Sequence, residues 1–238
     1  MKRLESVLEK YRGKKLLAVF PHPDDESFVA GGLFQILPEY SIHSYMVCLT
    51  GSERGINDGN HKDLKSFRTE ELKKAVKILG INEYVCKNYD EAKLKQNKKW
   101  IAEISNLIGT FKPHLILTFD TSGITGHPDH LIVNSEIKKL VKDSKNIKLL
   151  VRVPDETEIG YFRENKALKL AEKPEYVLHL PFWVAIKKIR AIFTHGSQLK
   201  NFVQKLQLIE WYLFDNKEMY SFIDPGKTKL HKLVIKTA

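Results

Sequence analysis

Short apolar runs alternate along the chain with longer stretches in which apolar residues recur at helical spacing. Leu16-Leu17-Ala18-Val19-Phe20 and, apart from Thr118, Leu115-Ile116-Leu117-Thr118-Phe119 are apolar at successive positions, the pattern of strands covered on both faces in a parallel sheet. Strands are predicted over 15–20, 41–49, 82–85, 114–119, 147–153 and 176–180. Between them, Leu64, Phe67, Leu72, Ala75 and Leu79 mark a helix over 64–79 with Gly80 as its cap, and Trp100, Ile101, Ile104, Leu107 and Ile108 mark another over 98–109. Further helices are predicted over 26–37, stopped by Pro38, and over 129–141, 182–194 and 198–214, with a polar helix at the N-terminus. The alternation implies an α/β, Rossmann-like fold: a mostly parallel sheet with helices on both faces. With no internal repeat or low-complexity linker, residues 1–238 read as one domain. Residues 155–173, dense in charge, read as an excursion at the sheet's edge.

The strand over 15–20 runs directly into His22-Pro23-Asp24-Asp25-Glu26, and the strand over 114–119 into a segment ending Gly126-His127-Pro128-Asp129-His130. Open α/β sheets bind ligands at the carboxyl ends of their strands, and prolines at 21 and 23 stiffen the first turn. Zinc hydrolases take three protein ligands from His and Asp/Glu and leave one position open. His22, Asp25 and one of His127 or His130 supply such a set. A capping role for Asp24 or Asp25 at the next helix is the plainer reading, but it leaves His22, His127 and His130 unexplained. The glycine-rich stretch over 50–60 is too polar to be regular and is expected to border the pocket.

At these residues the chain resembles the LmbE-like, or PIG-L-type, N-acetylglucosaminyl deacetylases. The resemblance rests on Pro21-His22-Pro23-Asp24-Asp25-Glu26 with Gly31-Gly32, on Leu49-Thr50-Gly51 with Arg68, Glu71, Ala75 and Leu79-Gly80, and on the second histidine motif. A fourth element comprises Lys188, Ala191, His195, Ser197 and Gln198. The resemblance implies a metal-dependent N-deacetylase of N-acetylglucosamine-containing sugar conjugates. It makes His22, Asp25 and His130 the metal ligands and Asp24 the general base, with His127 stabilising the oxyanion. An unperturbed imidazole pKa near 6.5 puts a charged His127 within easy reach. Asp129 would fix the tautomer of one ring. Arg68 and Ser52 are expected to contact substrate, with a surface salt bridge as the plain alternative for Arg68. His195 would cap a helix or approach the pocket. Some of the family's sugar deacetylases carry a tyrosine where this chain has Thr125; Tyr45, Tyr89 and Tyr161 are the candidates to replace it. Zn2+ is the expected cofactor, and Fe2+ or another divalent metal suits the same donors.

Composition narrows the alternatives. The 238 residues carry a formal charge of +10, but the lysine tracts at 93–99 and 138–139 sit in no nucleic-acid-binding motif, so a solvated surface is expected, able at most to steer an anionic substrate. No run of eighteen apolar residues and no signal-peptide pattern occurs, so a cytoplasmic protein without a membrane span is expected. Cys48 falls in a predicted strand and Cys86 at the end of one, and both read as inert thiols. Two other functions share these features: a non-haem iron oxygenase using the same His/Asp/His set, and a basic polyanion-binding protein with a structural metal.

Overall fold

The computed structural model describes residues 1–57, 61–199 and 202–224. Among these, eight strands form one sheet: β1 (Lys2–Arg3), β2 (Lys15–Phe20), β3 (His43–Thr50), β4 (Glu83–Tyr89), β5 (Leu115–Phe119), β6 (Lys148–Val153), β7 (Tyr176–His179) and β8 (Lys217–Ile223). Their order is β1-β7-β8-β6-β5-β2-β3-β4. All pairings are parallel except those of β8, which runs antiparallel between β6 and β7. The helices are α1 (Glu5–Leu8), α2 (Asp25–Ile36), α3 (Leu64–Leu79), α4 (Lys99–Phe111), α5 (Pro128–Val141), α6 (Glu156–Tyr161), α7 (Phe182–Thr194) and α8 (Phe202–Phe214).

Both faces are covered because β2 is apolar at every position from Leu16 onward. Leu16, Ala18 and Phe20 join one core with residues of α2, α3 and α7. Leu17 and Val19 join the other with residues of α4 and α5. The chain leaves β2 toward β3 and β4 on one side, then crosses to β5 on the other. The carboxyl ends of β2 and β5 therefore flank the switch point, where an open α/β sheet forms its crevice.

Several predicted elements shift. Helix α2 ends at Ile36, one residue earlier than expected and just before Pro38, which lies in a 3-10 turn, Leu37–Tyr40, near the turn's start, where its missing N–H is not needed. The N-terminus forms the short β1 and the single turn α1 rather than a longer polar helix. The antiparallel β8 carries a buried Glu218 in place of an apolar run, which hides it from pattern reading. Residues 155–173 are not an edge excursion: they follow β6, an interior strand, and Asp155 and Glu158 form a capping box that starts α6. Lys138 departs from the expected solvated surface. It is buried, with Nζ bonded to Thr121 Oγ1 and 3.2 Å from Glu172. No helix among the described residues is long and apolar enough to cross a membrane.

Helix α2 is broken at Ala30 (φ −139°). The Glu218 carboxylate accepts from Gly32 N at 2.7 Å and Leu33 N at 2.9 Å, just after the break. Lys188 Nζ, 2.7 Å away, and the Tyr220 hydroxyl complete its shell. A Cβ at Gly32 would stand 2.9 Å from Glu218 Oε1 and closer still to Leu180, so the second glycine of the motif is a steric requirement.

Candidate active site

The turn after β2 and the start of α5, which follows the loop after β5, bring His22, Asp24, Asp25, His127 and His130 onto one cavity of about 440 Å3. Among the described residues, His22, His127 and His130 offer ring nitrogens that all lie within 4.8 Å of one another, a group able to hold a metal ion. Their outer hydrogen bonds tell the rings apart. His130 Nδ1 lies 2.9 Å from Gly123 O, which can only accept, so Nδ1 carries the proton and Nε2 a lone pair. His22 Nε2 lies 3.3 Å from Asp129 Oδ2, and a proton there leaves Nδ1 with a lone pair. These two nitrogens stand 3.2 Å apart. Asp25 Oδ1 is 3.4 Å from His130 Nε2, and Asp25 Oδ2 is 3.7 Å from His22 Nδ1.

Donors bound at about 2.0–2.1 Å in a tetrahedron stand roughly 3.3 Å apart, so this set fits a divalent ion. His127 differs. Its Nδ1 accepts from Asp129 N at 3.2 Å, which puts the proton on Nε2 and makes the ring a donor. The expected imidazolium is not found: burial pushes His127 down to about 4, with His22 and His130 adding to the effect, so the ring is neutral at pH 7.

Asp24 is not a side-chain cap of α2. It sits at φ 118°, a strained backbone for a residue with a Cβ. Its amide donates to Glu26 Oε2 at 3.0 Å and its Oδ2 accepts from Arg68 Nη2 at 2.9 Å. Burial pushes the Asp24 carboxyl up to about 6 against the pull of Arg68. For Asp25, burial works upward too, but His130 and His22 outweigh it and hold the carboxyl below its ordinary value.

Arg68 and Ser52 both line the cavity. Both terminal nitrogens of Arg68 are engaged toward the turn, Nη2 also on Pro23 O at 2.5 Å and Nη1 on Ser52 O at 3.2 Å. Ser52 and Gly55 bring the loop after β3 to the cavity, as expected for 50–60; residues 58–60 lie outside the described part. Of the three tyrosines weighed for the Thr125 position, Tyr161 lines the cavity, whereas Tyr45 packs on Phe111 and Tyr89 bonds Glu103.

Two features escape sequence reading. Glu91 lines the cavity with Oε1 4.0 Å from both His22 Nε2 and His127 Nε2. The strand predicted over 82–85 runs on to Tyr89, and that extension would have marked Glu91 as a strand-end acid. The second is a buried pair: His195 Nε2 lies 2.7 Å from Glu26 Oε1, which also accepts from Ser27 Oγ at 2.6 Å. His195 thus ends α7 without lining the cavity and holds the carboxylate that holds Asp24 N. Ser197 on Glu71 and Gln198 on Ile56 complete the fourth element as a clamp.

Residues 17–141 match the family described as PIG-L, GlcNAc-PI de-N-acetylase. The chain belongs to the PIG-L family. The chain is 26% identical over 234 residues to a probable N-acetyl-alpha-D-glucosaminyl L-malate deacetylase 2 of Bacillus anthracis, covering 90% of this chain and 98% of that protein. Six other curated relatives are spanned over 55% to 59% of their length, and a further one over 73%. Among solved structures, N,N'-diacetylchitobiose deacetylase from Pyrococcus horikoshii superposes with a TM-score of 0.69 at 17% identity, over 97% of this chain and 94% of that one. The 4-carboxy-2-hydroxymuconate hydratase of Pseudomonas putida superposes at 0.65 and 18%, over 91% and 98%. At these identities the likeness is one of fold, and it spans more than one chemistry.

Proposed function

We propose that this PIG-L family member is a metal-dependent deacetylase that removes the acetyl group from an N-acetylglucosamine-containing sugar conjugate. The observation that carries the reading is the pair of lone-pair nitrogens, His22 Nδ1 and His130 Nε2, 3.2 Å apart beside Asp25, with the Arg68-bound Asp24 on the same cavity. His22, Asp25 and His130 would hold the ion. Zn2+ suits the donors, and Fe2+ does so as well. A bound divalent metal supplies Lewis acidity that acidifies water and polarises a carbonyl.

The chain's own groups do the remaining work. Asp24 accepts the proton of the attacking water at a carboxylate whose position is fixed by Arg68 and by Glu26 through the backbone. His127 Nε2–H donates to the oxygen that gains charge as the acetamide becomes tetrahedral; as a neutral donor it needs no prior protonation. The amine leaves with a proton returned from Asp24. The test is acetate release from N-acetylglucosamine and its glycosides by protein loaded with Zn2+ or Fe2+. Metal-dependent release supports the reading, and none from any N-acetylated sugar rejects it.

A further inference from the structure

The cavity wall continues past the histidines into aromatic side chains. Phe28 of α2, Tyr161 and Phe162 at the end of α6, and Trp211 and Tyr212 of α8 all line it. The Tyr161 ring lies 4.9 Å from that of Phe162 and 6.1 Å from that of Trp211, which stacks on Tyr212 at 5.5 Å and 2°. Tyr161 is 66% exposed and Trp211 half-buried, so both present ring surface to a ligand, whereas Tyr212 is buried. Water covers that surface at a free-energy cost that an apolar group would relieve.

Charge points the same way. The chain is strongly basic, yet Arg68 is the one Lys or Arg among the described residues lining this cavity, and it is engaged by Asp24, Pro23 O and Ser52 O. Asp24, Asp25, Glu91 and Glu158 line it too. An anionic aglycone would find acidic neighbours here, so the steering of anions expected from the net charge has no counterpart among the described residues of the site. We infer that the aglycone of the substrate is a neutral apolar group, aryl or alkyl, laid against Tyr161 and Trp211. The inference rests on the deacetylase reading for the position of the acetamide, and adds the class of conjugate.

The experiment compares KM for p-nitrophenyl N-acetylglucosaminide, free N-acetylglucosamine and N-acetylglucosamine 1-phosphate with the metal-loaded enzyme. KM for the aryl glycoside should be roughly tenfold below the other two, the scale of one good aromatic contact plus its buried area. That ratio should collapse toward one in Tyr161→Ala and Trp211→Ala. Trp183→Ala removes an exposed aromatic that does not line the cavity and should keep the ratio. A wild-type ratio near one, a lowest KM for the phosphate, or an unchanged ratio in both cavity variants overturns the inference. If no acetate is released from any compound, the deacetylase reading fails separately, and calorimetric titration with phenyl glucoside, which has no acetamide, reads the subsite alone. Binding roughly tenfold tighter than glucose that is lost in Trp211→Ala supports it; equal affinities overturn it.

Discussion

Arg68 Nη2 donates to Asp24 Oδ2 at 2.9 Å, joining the second turn of the chain's second main helix to the turn after its first long strand. The pairing has a sign that can be measured. Burial raises Asp24 to about 6 and Arg68 opposes the rise. As a base, Asp24 works only when ionised, so kcat/KM should fall as pH drops through its pKa. Arg68→Gln removes the opposing charge, and the acid limb should move to higher pH by about 1–3 units. A bound divalent ion lowers both limbs and leaves the direction of the difference. Matching limbs in the two pH–rate profiles would show that the pair does not set the base.

The proposed ligand set predicts metal loss together with activity loss. Alanine at His22, Asp25 or His130 should each lower metal content, read by elemental analysis of folded protein. His61→Ala is the control, since its ring stacks on Phe67 at 3.6 Å away from the cavity. His127→Ala should stay loaded while losing activity, because its Nδ1 is an acceptor for Asp129 N. An empty site in His127→Ala would put that ring among the ligands.

Asp24→Asn keeps size and loses the proton acceptor. Its kcat/KM should drop by about 10²–10⁴-fold, the usual worth of a general base, with metal content unchanged. Near wild-type turnover of a confirmed substrate would exclude Asp24 as the base.

His195 and Glu26 form a buried pair 2.7 Å apart, and His195→Ala strips the carboxylate of its partner. A loss of about 3–5 kcal/mol in urea unfolding is expected. Burial pulls His195 down, but the charge and hydrogen bond of Glu26 prevail and raise it above its ordinary value. A group raised in the folded state stabilises fully below its unfolded pKa and loses that contribution as pH rises through the folded one. The gap between wild type and His195→Gln should therefore be wider at pH 6 than at high pH. A gap that grows with pH would contradict a charged pair.

The legible parts of this molecule are those where one local pattern carries the whole signal. Continuous apolar runs announced β2 and β5, and α3 begins at Leu64 and ends at Leu79 with Gly80 at φ 73°, as its spacing predicts. The histidine and aspartate motifs were visible because they directly follow such runs. What stayed hidden depends on partners far away in sequence. Glu218 can be buried in a strand only because Lys188 and the amides of Gly32 and Leu33 meet it. Glu91 lies in a lysine-rich stretch that reads as surface. The neutral state of His127 follows from burial beside two other imidazoles, which no spacing rule conveys.

The position of β8 bears on the order in which the molecule can be completed. In the sheet, β7 reaches the five-stranded parallel portion only through β8, and β1 only through β7. A chain emerging from the ribosome can pair β2 to β6 as each appears, whereas the β1–β7 pair joins them only through residues 217–223. The same late strand delivers Glu218 to the break in α2, a few residues past Asp24 and Asp25. Synthesis therefore makes Asp24 and Asp25 well before Glu218, the residue whose carboxylate caps the break in the helix that they begin.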